Sequence, residues 1–199
     1  MNQPKTYARV LTIAGSDSGG GAGIQADLKT IAAHGCYGAS VITALTAQNT
    51  LGVTGIHAVP VDFVAAQMDA VLGDIGADAV KIGMLFSPEL IRTVAAGLTR
   101  HGVRTVVLDP VMVAQSGDKL LQDEAIDALK RELIPLATLI TPNLPEASVL
   151  LGRDIDTAEA ARAAVMDLAA LGCENVLVKG GHLESGDSDD TLLIGPENR

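Results

Sequence analysis

Aromatic side chains are nearly missing from this chain: its 199 residues hold two Tyr, two Phe and no Trp. The apolar 48% therefore rests on Ala, Val, Leu and Ile. Positive charge is scarce as well. Fourteen Lys and Arg stand against 24 Asp and Glu, a net charge of −10, and no Lys/Arg cluster occurs. A nucleic-acid binder normally presents a basic face, so that class is disfavoured. An anionic small-molecule substrate is not excluded, but a few placed cations and a metal must offset its charge locally. There are only two cysteines, Cys36 and Cys173, with neither C-x-x-C nor metal-ligand spacing. Each follows a helix in a Gly–Cys pair, where a small buried residue opening a strand is expected. No apolar run approaches the ~18 residues of a membrane span, and the N-terminus lacks the apolar region of a secretory signal. A cytoplasmic, reduced protein with no membrane association is expected. Neither a linker nor an internal repeat divides the chain.

What is present is glycine and proline, 21 and 8 residues, punctuating short elements. "ARVLTIAG", "ASVITALTAQN", "ADAVKIGML", "VRTVVLDPVMV", "TLITPN", "NVLVKGGH" and "DTLLIG" read as strands. Between them, "GIQADLKTIAAHG", "VDFVAAQMDAVLGDIG", "PELIRTVAAGLTRHG", "DEAIDALKRELIPLA", "LPEASVLLG" and "TAEAARAAVMDLAALGC" read as helices. Asp62 is expected to cap the second of these, and the third has Pro at its start and Gly after its end. "SGDSDD" (185–190) reads as an exposed loop. The alternation implies an α/β fold, a mainly parallel sheet with helices on both faces. In such sheets ligands bind outside the carboxyl ends of the strands. The positions to weigh are thus 15–23, 48–49, 83–84, 109–112, 141–146 and 179–182.

The first of these, "GSDSGGGAG" (15–23), has the density of a phosphate loop but not its spacing. A P-loop needs G-x-x-x-x-G-K-[ST]; counted from Gly15, Gly21 stands where Lys is required. A dinucleotide fingerprint needs G-x-G-x-x-G; counted from Gly19, Ile24 replaces the third glycine. Two carboxylates flank the turn, Asp17 within it and Asp27 one helical turn after Gly23, where it could point back toward the strand ends. A carboxylate there suits a neutral ligand with amino and hydroxyl donors better than a phosphate. The plain alternative is a tight strand-to-helix turn and nothing more.

"TIAGSDSGGGAGIQADLKT", "GASVITALTAQNT", "VKIGML", "VVLDPVMV", "LITPNLPEA" and "VLVKGGH" occur in the order found in the hydroxymethylpyrimidine/phosphomethylpyrimidine kinases of thiamine synthesis. The chain resembles that family over residues 9 to 195. Pyridoxal kinases share several of the blocks. The resemblance implies a ribokinase-like fold and MgATP as phosphoryl donor. It implies 4-amino-5-hydroxymethyl-2-methylpyrimidine and its monophosphate as acceptors, and a homodimer.

By this resemblance Gly15, Asp27, Gln48, Met84 and Val111 surround the pyrimidine. The residue types suit it. Gln48 offers a donor and an acceptor to an aminopyrimidine edge, although an amide in "AQNT" also serves a turn. Met84 packs on a flat ring as readily as in a core. Asp109 and Glu146 are implied at the metal, Asn143 and Lys179 at the nucleotide. Asp109 ends a strand, where a carboxylate binds Mg²⁺ directly or through water; Asp-Pro is also a turn signal. Asn143-x-x-Glu146 also reads as a capping box with Pro145 in the first turn, and both roles are compatible. Lys179 is the cation placed for ATP phosphates; a lone strand-end Lys is otherwise a surface charge.

One family element is not found. A later G-[ST]-G-x-x-[DC] loop supplies the anion hole and the residue beside the substrate hydroxyl, and the chain reaches Arg199 without it. The expectation is one ribokinase-like domain, residues 1–199, truncated at its C-terminus, with no catalytic residue in this chain. A polypeptide ending at Arg199 is expected to show little or no kinase activity and to expose apolar core. The alternatives are a pyridoxal/pyridoxine kinase and a pyrimidine-binding module without catalysis. A dinucleotide-dependent oxidoreductase is disfavoured by the failed fingerprint.

Overall fold

The computed structural model describes residues 6–112, 121, 123–181 and 189–195. Eight strands form one sheet in the order β3-β2-β1-β4-β5-β6-β7-β8. They are β1 (Arg9–Asp17), β2 (Tyr37–Asn49), β3 (Gly52–Ala58), β4 (Ala79–Ile82), β5 (Val106–Leu108), β6 (Leu139–Ile140), β7 (Asn175–Val178) and β8 (Thr191–Leu193). The six inner strands are parallel; β3 and β8 are antiparallel edges. The expected α/β architecture is present.

The helices follow from the sequence pattern. They are α1 (Gly23–Ala33), α2 (Val61–Ala70), α3 (Pro88–Arg100), α4 (Asp123–Ala128), α5 (Leu144–Leu151) and α6 (Ala158–Ala169). Ser87 caps α3 by accepting from the Leu90 N–H, and Leu90, Ile91, Val94 and Leu98 form its buried stripe. One core joins α2 through α6 to Leu11, Ile13, Val80, Ile82, Val106, Leu108 and Ile140 of the strands. Gly38 lets α1 lie close on β2: a Cβ there would stand 2.8 Å from Leu28 Cδ2.

Four local expectations need correction. β3 was not expected; all its residues are exposed, so no buried face imprints a pattern on it. Pro60, not Asp62, precedes the first residue of α2, and no side chain caps that helix. Both α2 and α4 end in wider π turns, Val71–Ile75 and Leu129–Leu133. Cys173 is buried as expected, but Cys36 is only partly buried. "SGDSDD" falls mostly outside the described residues, as does His182.

Candidate functional site

The chain order departs in opposite directions from β1, to β2 on one side and β4 on the other. That switch point lies between the carboxyl ends of β1 and β4, where open α/β sheets bind ligands in a crevice. Gly15 lies at the end of β1 and Met84 just past β4, and the two adjoin: a Cβ on Gly15 would stand 3.6 Å from Met84 Cε. Both expected residues therefore border the crevice.

The glycine turn is organised by a residue within it. Asp17 is the last residue of β1 and 5% exposed. Its carboxylate accepts the N–H groups of Gly19 at 2.7 Å, Ala22 at 2.8 Å and Gly21 at 2.9 Å. Burial alone would raise the Asp17 pKa, but these backbone donors outweigh it and hold the group below the usual carboxylate range. Gly23 completes the turn at φ +57°, where a Cβ would come within 2.4 Å of the Gly15 carbonyl oxygen. Three of the N–H groups that make glycine loops bind phosphate are thus already taken by Asp17. The turn is not a phosphate loop, in agreement with both failed spacings.

Gln48 is joined to this turn. Its N–H donates to Ser18 Oγ and its carbonyl accepts from the same hydroxyl, both at 2.8 Å. Its side-chain oxygen accepts from Thr46 Oγ1 at 3.1 Å. The backbone thus has a structural role while the partly buried amide stays at the strand end. Asp27 reaches from α1 onto β1 and the end of β4. It accepts from Thr12 Oγ1 at 2.6 Å and pairs with Lys81 at 2.9 Å. Val111 follows β5, its N–H donating to the Asp109 carbonyl at 2.9 Å.

The other expected residues converge beyond β5, β6 and β7. Lys179 Nζ lies 2.8 Å from Asp109 Oδ1, and Thr141 Oγ1 donates to the same oxygen at 3.3 Å. Asn143 and Glu146 form the capping box of α5: Glu146 N–H donates to Asn143 Oδ1, and Asn143 N–H to Glu146 Oε2, both at 2.8 Å. The Lys179 N–H donates to the Pro142 carbonyl, which ties β7 to this helix start. Glu146 is 3% exposed. Burial raises its pKa above the usual range despite the Asn143 and Met112 N–H donors and the charge of Lys179, and Asp109 adds to the rise. Two nearby carboxylates and a lysine thus stand one to three strands from the switch point. Among the described residues no three His, Cys, Asp or Glu side chains gather to cage a metal. That suits Mg²⁺, which binds through one or two carboxylates and keeps its other positions for water and phosphate.

Sequence reasoning missed Thr12 and Lys81, the partners of Asp27. The available signal was a lysine inside the otherwise apolar strand "AVKI".

The sheet order is that of a ribokinase-like α/β fold, which this chain shares with solved vitamin-kinase structures. A family model described as phosphomethylpyrimidine kinase matches residues 17–199, and the chain belongs to that family. It is 60% identical over 192 residues to a thiamine biosynthesis bifunctional protein, ThiED, of Geobacter sulfurreducens, covering 96% of this chain and 39% of that protein. It is 57% identical to a hydroxymethylpyrimidine/phosphomethylpyrimidine kinase of Rhizobium meliloti, over 94% of this chain and 71% of the relative. Among solved structures, phosphomethylpyrimidine kinase from Clostridium difficile superposes with a TM-score of 0.88 at 47% identity, covering 96% of this chain and 82% of that one. An ADP complex of Bacillus subtilis pyridoxal kinase gives a TM-score of 0.88 at 38% identity, over 96% and 73%. The chain thus spans 39% of the bifunctional relative's length and about seven-tenths of the Rhizobium kinase. Among the described residues no helix is long and apolar enough to cross a membrane.

Proposed function

We propose that this protein transfers the γ-phosphoryl group of MgATP to the hydroxymethyl group of 4-amino-5-hydroxymethyl-2-methylpyrimidine, and in a second turnover phosphorylates the monophosphate. Family membership supports the chemistry. The observation that carries it to residues is the gathering of Asp109, Glu146 and Lys179 beside a switch-point crevice bordered by Gly15 and Met84. In this reading the ring lies over the switch point, against Met84 and Gly15, with Gln48, Asp27 and Val111 as its polar and apolar neighbours. Asn143 and Lys179 meet the nucleotide, Lys179 exchanging Asp109 for phosphate oxygens. Asp109 and Glu146 would hold Mg²⁺, which when bound would neutralise charge on the transferring group. Asp17 occupies N–H donors of the glycine turn, so that turn does not serve as the anion hole. No side chain named here is assigned the proton from the hydroxymethyl group.

The test is a coupled ATP assay on the intact gene product, of verified mass, with hydroxymethylpyrimidine and pyridoxal as rival acceptors. Pyrimidine-dependent ADP release at the higher kcat/KM is expected. Preference for pyridoxal would establish the second reading, which the pyridoxal-kinase likeness keeps in view. Tight pyrimidine binding without turnover would leave a binding module. Gln48→Ala is expected to weaken pyrimidine binding by about 1–3 kcal/mol through the unmet polar partner. Lys179→Ala is expected to act mainly on the KM for ATP. Equal effects of both substitutions on both ligands would overturn the division of the site.

We also propose a cytoplasmic homodimer. Both cysteines are free, and the β2–β3 edge leaves Leu45, Leu51, Val53 and Ile56 exposed, with Leu45 and Ile56 on opposite faces of the sheet, apolar surface that a second copy would cover. Sedimentation of the intact protein is expected to give twice the protomer mass; a monomer at micromolar concentration would refute this.

A further inference from the structure

Lys81 is an unexpected residue for its place. In β4 the side chains of Val80 and Ile82 are buried in the core, while Lys81 alternates to the other face. There it stands beside Thr12, its register partner on β1, which is fully buried. Asp27 reaches down from α1 onto both. Its Oδ2 accepts from Thr12 Oγ1 at 2.6 Å and from Lys81 Nζ at 3.0 Å; its Oδ1 lies 2.9 Å from the same Nζ. The Asp27 side chain is 16% exposed and that of Lys81 29%. The group lies directly under the switch-point crevice: a Cβ on Gly83, where β4 gives way to the crevice, would stand 3.3 Å from Lys81 Nζ.

A carboxylate has about four acceptor directions. The contacts of Thr12 and Lys81 use two on Oδ2 and one on Oδ1, so one remains, on Oδ1. Without Lys81 the Asp27 carboxylate is held by Thr12 alone, through one contact about which it can turn, and a partly buried negative charge is left without its counter-ion. A substrate amino group would then meet a carboxylate of unfixed direction.

We propose that Lys81 is a positioning residue for the acceptor substrate: it clamps the Asp27 carboxylate against β1, so that a single Oδ1 acceptor is held ready for an amino donor on the ring. This rests on the reading that Asp27 meets the pyrimidine. Lys81 itself touches neither substrate nor phosphate.

The experiment is steady-state kinetics of the intact protein with hydroxymethylpyrimidine and ATP, for Lys81→Met, Asp27→Asn and the double variant, with melting curves alongside. Lys81→Met is expected to raise the KM for the pyrimidine by about tenfold while the KM for ATP is unchanged. The double variant is expected to be no worse than Asp27→Asn alone, since the two residues act as one unit. Lys81→Gln, which keeps a donor toward Asp27 without the charge, serves if the Met variant does not fold, and an intermediate KM is expected of it. If Asp27→Asn raises the KM and neither Lys81 variant does, whatever the melting curves show, Lys81 is merely structural and the proposal fails. Additive losses in the double variant would also overturn it. If Asp27→Asn leaves the pyrimidine KM untouched, the reading of Asp27 falls, and the proposal with it.

Discussion

Asp109→Asn is expected to lower kcat for phosphoryl transfer by about 10²- to 10³-fold, the scale on which a preorganised electrostatic group at a transferring centre is usually felt. The substitution is close to isosteric, and the amide oxygen can still accept from Thr141, which now donates to Oδ1 at 3.3 Å. What is lost is charge. Lys179 Nζ, 2.8 Å from Asp109, loses its counter-ion, and on the proposed assignment Mg²⁺ would lose one of its two carboxylates. The apparent Mg²⁺ requirement is therefore expected to rise along with the fall in kcat, while the pyrimidine KM stays near its original value. Titration of MgCl₂ at saturating ATP separates these effects. A loss below about threefold, or one confined to the pyrimidine KM, would remove Asp109 from the phosphoryl end of the site.

Glu146→Gln is expected to have opposite effects on stability and activity. Glu146 is a buried carboxyl whose pKa is raised, first by desolvation, against the pull of the Asn143 N–H and Lys179. The folded state thus binds its proton more tightly than the unfolded state does. The stability this contributes is fully present below the unfolded pKa and is lost as pH rises through the folded one. A glutamine cannot ionise, and its side-chain oxygen can still accept from Asn143 N–H, so the capping box survives. The Tm of Glu146→Gln relative to the wild type is expected to rise between pH 4 and pH 8, and kcat at pH 8 to fall by about 10²-fold. A Tm difference that is flat across that range would show that Glu146 carries no such penalty. A stable variant with full activity would show that the penalty serves some purpose other than catalysis. Charge held in a costly place for the sake of function is the usual origin of such a trade-off.

Much of the fold was legible because its strands read as short, largely apolar runs. β1 is buried continuously over residues 11–15, while β4, β5 and β7 alternate buried and half-buried residues. Helix ends were legible where capping chemistry was local: Pro88 and Gly102 around α3, Asn143 and Gly152 around α5. β3 was not legible, because a strand with no buried residue carries no alternation. The π turns after α2 and α4 were hidden for a different reason: one extra residue per turn leaves the local pattern nearly unchanged. At the candidate site the strand-end rule marked the stretches to weigh, and the family resemblance picked the residues within them. Asp109, Asn143, Glu146 and Lys179 do come together. The partners of Asp27 were missed because Thr12 and Lys81 lie within strands, one of them a threonine that β propensity already accounts for. The task of Asp17 was missed as well. Nothing in its spacing separates a carboxylate that binds a ligand from one that binds its own loop.

That self-bound carboxylate bears on how two differently charged molecules are sorted. Empty backbone donors at a strand-to-helix turn make a patch of positive potential that attracts any anion. Here Asp17 cancels it with a full negative charge beside the switch point. On the proposed assignment the turn therefore offers a nucleotide phosphate no open ring of donors, although Lys29 stands at it with its ammonium on the Gly20 carbonyl. The glycine turn would then act as a closed door to phosphate, leaving the ring end of the site to the acceptor before either ligand has made a contact.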